Sequence, residues 1–132
     1  MSGTRFQGTP GLIKSYRDLR VWQKAMDVVV ESYRVGYLLP ENETYGLASQ
    51  IQRAALSIPA NVAEGHGREY LGDYLHHLSV ANGSLMELET HLHIEMRLSY
   101  LNTNEVERIW ALTAEVGRLL SVLTKKLKEK NT

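Results

Sequence analysis

The sequence predicts an all-α protein: an antiparallel up-down-up-down four-helix bundle whose second helix is bent at Pro59. Three observations carry that prediction. Apolar residues recur at steps of three and four along most of the chain, and no run alternates with period two long enough for a strand. Pro10, Pro40 and most of the glycines fall between these periodic segments rather than inside them. The connections left between four such segments are short, which favours antiparallel neighbours. At 132 residues the chain suits one domain, read here as residues 16–132 behind an N-terminal stretch, 1–15. That stretch, "MSGTRFQGTPGLIKS", reads as a flexible arm or an expression remnant, and it lacks the apolar h-region of a signal peptide.

The first helix is expected over about Asp18 to Leu38, with Asp18 as its N-cap and Leu19, Trp22, Met26, Val29, Tyr33 and Tyr37 as its buried stripe. Pro40 prevents continuation, because it disfavours helical geometry in the residue before it. "PENETYG" is then a polar turn.

The second helix holds the least ordinary stretch, "SIPANVAEGHGR", residues 57–68. Leu47, Ile51, Ala54, Ile58 and Val62 keep helical phase straight across Pro59, where a loop would have reset it. One helix from about Glu43 to Glu64 follows, with Pro59 inside it. That proline removes one backbone hydrogen bond and crowds the carbonyl of Ala55, which costs about 3 kcal/mol and should bend the helix. Gly65 is expected to stop the helix as a C′ glycine. Ser57 is placed to bond back to a carbonyl one turn earlier.

The third helix runs from Glu69 or Tyr70 to about Leu98, with Leu71, Leu75, Leu78, Leu85, Leu88, Leu92 and Met96 as its stripe. The fourth starts after "LNTNE", capped by Asn102, Thr103 or Asn104. Val106, Ile109, Trp110, Thr113, Val116, Leu120, Leu123 and Leu127 line it.

Bulk composition narrows function. There is no cysteine, so neither a disulfide scaffold nor a thiolate metal site exists, which fits a cytoplasmic protein. No apolar run approaches the roughly 20 residues of a membrane span. Net charge is zero, against a dedicated nucleic-acid binder, yet it is unevenly placed. Residues 1–40 hold six basic and three acidic side chains, residues 41–107 three and ten, and residues 108–132 six and two.

No catalytic or cofactor constellation emerges. Glu87 and His91 share a helix face with Glu95 one turn on, and Asp73 with His76 has the i, i+3 spacing of diiron bundles. Those sites need two such motifs and glutamates from two further helices, and none face inward here. His91 and His93 lie about 200° apart and cannot chelate together. "EGHGR" lacks the Gly-Lys-Ser/Thr ending of a phosphate loop. The expectation is a non-enzyme without metal or cofactor.

Two interaction surfaces remain. The second helix carries a further apolar or small face, Leu56, Pro59, Ala60 and Ala63, which would let another subunit approach closely. Its polar line, Gln50, Arg53, Ser57, Asn61 and Glu64, is expected to pair Arg53 with Glu87 or Glu89 of the third helix. Alternatively Arg20, Lys24, Arg53, Arg68, Lys125 and Lys126 contact nucleic acid or a partner.

Three blocks in this order, "DLRVWQKAM", "YGLASQIQRAALSIPANVAEGHGR" and "GSLMELETHL", resemble a family of bacterial four-helix-bundle proteins. That family was first noticed as reading frames within intervening sequences of large-subunit ribosomal RNA genes. The resemblance covers about residues 16–128 and implies a ring-shaped homopentamer of up-down-up-down bundles. A related branch, accessory proteins of diversity-generating retroelements, is strongly basic and works with reverse transcriptase and nucleic acid. This chain departs from the family pattern at Gln52, before Arg53, and at Asn82, where basic residues are common, and at His77, where an aromatic is frequent. Those losses weaken the implied nucleic-acid role.

Overall fold

The computed structural model describes residues 13–130. Most of the expected arm, residues 1–12, lies outside the described residues, whereas Ile13 already packs against the core. Four helices make the fold: α1 (Arg20–Leu38), α2 (Leu47–His66), α3 (Leu71–Arg97) and α4 (Thr103–Lys130). The described residues contain no strand, and none of their helices is long and apolar enough to cross a membrane.

Cross-helix pairs set the direction of each neighbour. Arg20 meets Glu115, Arg108 meets Glu31, and Arg34 donates to the Glu105 carbonyl, so α1 and α4 run antiparallel. Ser57 meets Ser84, Asn61 meets His77, and Gly65 lies against Tyr74, so α2 and α3 do the same. Gly117 lies over Leu85 and Trp110 against His93, which orients α3 and α4 likewise. Gly36 sits beside Ala48 just across the α1–α2 turn.

Helices α1 and α2 start later than the sequence suggests, for local reasons. Asp18 does not cap α1. Its carboxylate accepts from the backbone N–H of Lys14 at 2.9 Å and of Ser15 at 3.2 Å, closing a capping box on a short 3-10 turn, Tyr16–Asp18. Leu19 is then extended, and α1 begins at Arg20. A second 3-10 turn, Glu41–Glu43, follows Pro40 and delays α2 to Leu47, whose N–H reaches the Glu43 carboxylate. At α4, Asn102 and Glu105 exchange side chain-to-backbone hydrogen bonds at 3.0 and 2.9 Å, a reciprocal cap. Between α3 and α4, Ser99 adopts φ 62°, the left-handed step that closes a helix end.

The core stripes of α2, α3 and α4 lie where the periodicity places them, and α2 continues through Pro59 without a break. The α1 stripe does not. Val21, Ala25, Val28, Ser32, Val35 and Gly36 are buried, whereas Met26, Tyr33 and Tyr37 are exposed and Trp22 and Val29 only half-buried. The interior of the bundle takes the smaller of two helical stripes, because small side chains let α2 and α4 approach.

Gly65 also plays a different part. It is buried inside α2, and the helix runs on to His66 with Gly67 as its C-cap. A Cβ on Gly65 would stand 2.7 Å from the His77 Cβ and 3.1 Å from the Tyr74 ring. Gly65 is thus a point of close approach between α3 and α2, and its role is space rather than left-handed geometry. Gly67 has φ −80°, and the nearest atom to its notional Cβ is 3.6 Å away. Gly65→Ala should therefore destabilise the fold by about 1–3 kcal/mol through overpacking. Gly67→Ala should be neutral or stabilising by about 0.5 kcal/mol. Urea denaturation of the two variants checks this, and equal effects would refute the assignment.

Candidate functional site

The α2–α3 seam carries the longest polar chain. Ser84 Oγ donates to Ser57 Oγ at 2.7 Å, and Asn61 Nδ2 donates to the Ser57 carbonyl at 2.8 Å. Asn61 Oδ1 then meets His77 Nδ1 at 3.0 Å, and His77 Nε2 faces the Glu64 carboxylate at 3.4 Å. Arg68 closes the line on Glu64 at 2.7 Å. Serine, histidine and glutamate all occur here, but not in catalytic order. Asn61 stands between Ser57 and the imidazole, so no base reaches the hydroxyl. Ser57 bonds across to α3 and along to Asn61 instead of back to a carbonyl of its own helix. The seam aligns two helices in register.

Arg53 does not join this line. It is exposed and makes no ion pair among the described residues, while Glu87 sits 3.5 Å from His91 on its own helix. Arg53 lies on the outer side of α2, about 40° further from α3 than Ser57 is, so the expected pair with Glu87 or Glu89 does not form.

The basic residues proposed as contacts are scattered. Arg20 and Lys24 converge on Glu115 at 3.2 and 3.7 Å, and the Arg20 hydrogen bond holds that carboxyl below the usual carboxylate range. Arg68 is held by Glu64, whereas Lys125 and Lys126 are without an acidic partner among the described residues. Lys125 lines an open groove of about 1010 Å³ between the first half of α3 and the last half of α4. Leu75 and Leu120 contribute apolar surface to it, and Ser79, Asn82, Ser121 and Lys128 polar surface.

The face expected to meet another subunit divides. Leu56 is 47% exposed, Ala60 is exposed and Ala63 half-buried, but Pro59 is buried within the chain itself. The ring of Pro59 falls on the side of α2 that turns toward α1, so it belongs to the core and not to the outer face.

Among the described residues, no three His, Cys, Asp or Glu side chains come together as a metal site. Glu95, one turn on from His91, is buried rather than solvent-facing. Glu95 is 0% exposed, and neither of its carboxyl oxygens makes a hydrogen bond. Burial first, and the nearby Glu43 second, push its pKa up to about 7. Glu43 itself accepts from the Tyr100 hydroxyl at 3.3 Å, and His91, one turn back on α3, buries an unpaired Nδ1. The signal for this burial was in the sequence: Leu85, Leu88, Leu92 and Glu95 continue one stripe at steps of three, four and three.

The raised pKa has a definite sign. A carboxyl that titrates near 4.5 unfolded and near 7 folded favours the native state when protonated. That contribution is whole below pH 4.5 and is lost as pH rises through 7, up to about 3 kcal/mol. Glu95→Gln should remove this decline, so the variant gains about 1–3 kcal/mol over the parent at pH 8 and little at pH 4.5. Denaturant melts at the two pH values give the difference, and parallel declines would refute it.

The described geometry meets its relatives at this point. The family model for the 23S rRNA-intervening sequence protein matches residues 17–122. A crystal structure of a protein with unknown function from the S23 ribosomal protein family of Bacteroides thetaiotaomicron is similar to this chain, with TM-score 0.74 and 25% identity. The match covers 80% of this chain and 98% of that one. No functionally curated protein matches the chain.

Proposed function

Because the chain belongs to the 23S rRNA-intervening sequence protein family, we propose that it is a non-enzymatic, self-assembling bundle, a cytoplasmic homopentameric scaffold or interaction module. The observation that carries this reading is the outer face of α2. Leu56 and Ala60 are bare there, with Ala63 beside them, on a helix whose other side is fully engaged in the core. A helix apolar on two sides is ordinarily buried on two sides. The polar groups that could have suggested chemistry are occupied with one another along the α2–α3 seam. Non-enzymatic action accords with that arrangement.

A second reading, a nucleic-acid-binding accessory protein, draws support from one feature. Lys125 and Lys128 line the α3–α4 groove without acidic partners among the described residues. Against it, Arg20, Lys24 and Arg68 are already committed to carboxylates.

The two readings separate by salt. Phosphate contacts weaken steeply with added salt, whereas a packed apolar interface does not. Light scattering at micromolar concentration should return about five times the 15.0 kDa chain mass at both low and high salt. Gel retardation on RNA and duplex DNA should show no shift. A monomeric mass would overturn the scaffold reading, and a shift abolished by salt would establish the second.

A further inference from the structure

Helix α1 carries two apolar stripes, and the bundle uses only one. The inner stripe, Val21, Ala25, Val28, Ser32 and Val35, steps by four, three, four and three and is buried. The outer stripe, Met26, Val30, Tyr33 and Tyr37, steps by four, three and four. That spacing is the a/d pattern of a helix seated against another helix. Yet all four outer residues are exposed, Val30 at 68% and Tyr37 at 81%.

The outer stripe does not stand alone. It lies on the side of α1 that adjoins α2, and a hollow of about 380 Å³ bounded by Tyr33, Gly36, Tyr37 and Gln52 follows that junction. The antiparallel pairing that seats Gly36 beside Ala48 brings Leu56 to the level of Val28 to Ser32. The bare face of α2 is therefore the continuation of the bare face of α1. Together Met26, Val30, Tyr33, Tyr37 and Leu56 expose on the order of 500 Å² of side-chain surface. That approaches the largest patch a monomer usually shows, and exceeds half of one partner's share, about 800 Å², in a standard interface.

We infer that the α1–α2 junction, with the outer stripe of α1 at its centre, is the surface on which a second copy of this chain lays a helix. The inference rests on the self-assembly reading above and specifies where assembly occurs. The repeat requires a helical partner, and a second copy supplies helices of the right length. The flank toward α4 offers little to a charged ligand, since Arg34 is held by Glu31 and by the Glu105 carbonyl, while Glu41 lines the hollow on the α2 side. Leu56 and Ala60 extend the same dry contact, and the two tyrosines bring broad amphipathic rings to its end.

The test places a charge in the stripe. Val30→Asp and Tyr37→Glu substitute exposed positions, so circular dichroism melts should stay close to the parent. Light scattering should then read about 15.0 kDa for both variants at a concentration where the parent is fully assembled. Association should weaken at least tenfold. Val122→Asp, at a separate exposed valine on α4, should assemble as the parent does. An assembled parent with fully assembled Val30→Asp and Tyr37→Glu overturns this surface while leaving self-assembly intact. Equal loss in Val122→Asp overturns it too. A monomeric parent instead overturns the self-assembly reading itself.

Discussion

The approach of α3 to α2 at Gly65 is the constraint from which much of this bundle follows. With no Cβ between them, the two helices come close enough for Ser57 to reach Ser84 and for Asn61 to reach His77. Those polar contacts act over short range and fix register, because a slip of one residue would separate every pair. Register in turn gathers Leu78, Leu85 and Leu88 of α3 with Ile51, Ala54, Ile58 and Val62 of α2 in one core. Pro59 is tolerable in this setting. The helix it weakens is held along its length by α3 on one side and α1 on the other, so the lost bond to Ala55 does not release the segment.

All four helices were legible from periodicity, as were the inward faces of three of them and the continuity of α2 across its proline. The reason is simple: leucine and isoleucine at heptad steps leave one credible inward face. Helix α1 was misread for an equally physical reason. It has two such faces, and the larger residues drew attention to the one that solvent sees. What decides between them is the neighbour's need for close approach, met by Ala25, Ser32 and Gly36, and a single helix does not display that need. Gly65 was misread likewise, since a glycine that ends a helix and one that admits a neighbour look identical until the neighbour is in place.

The candidate interaction residues divide along the same line. Leu56, Ala60 and Ala63 were legible as an outer face because a second stripe on α2 has its own spacing. The isolation of Arg53 and the convergence of Arg20 and Lys24 on Glu115 were not, because a charge pairs across helices according to rotation, which spacing along one helix leaves open. The basic residues named together as contacts therefore lie apart, Arg20 and Lys24 on Glu115, Arg68 on Glu64, and Arg53, Lys125 and Lys126 without an acidic partner among the described residues. Glu95 lay between these cases. Its place on the leucine stripe was readable, but reading it required accepting a carboxyl in an apolar row. Its raised pKa resolves that conflict: protonated, it is a neutral polar side chain rather than a buried charge.

Charge neutrality and bare apolar surface bear jointly on function. A protein that pairs Arg20, Arg34, Arg68 and Arg108 with its own glutamates keeps less field with which to attract phosphate. The same chain leaves large apolar side chains on α1 and α2 in water, and a monomer gains nothing from exposing them. Solubility alone would favour polar residues at Val30 and Tyr37, since neither contributes to the core. Their presence at coiled-coil spacing, next to a small-residue face on the adjoining helix, is economical only if that surface is covered in the working state. The physical economy of the sequence thus accords with the proposed contact between copies.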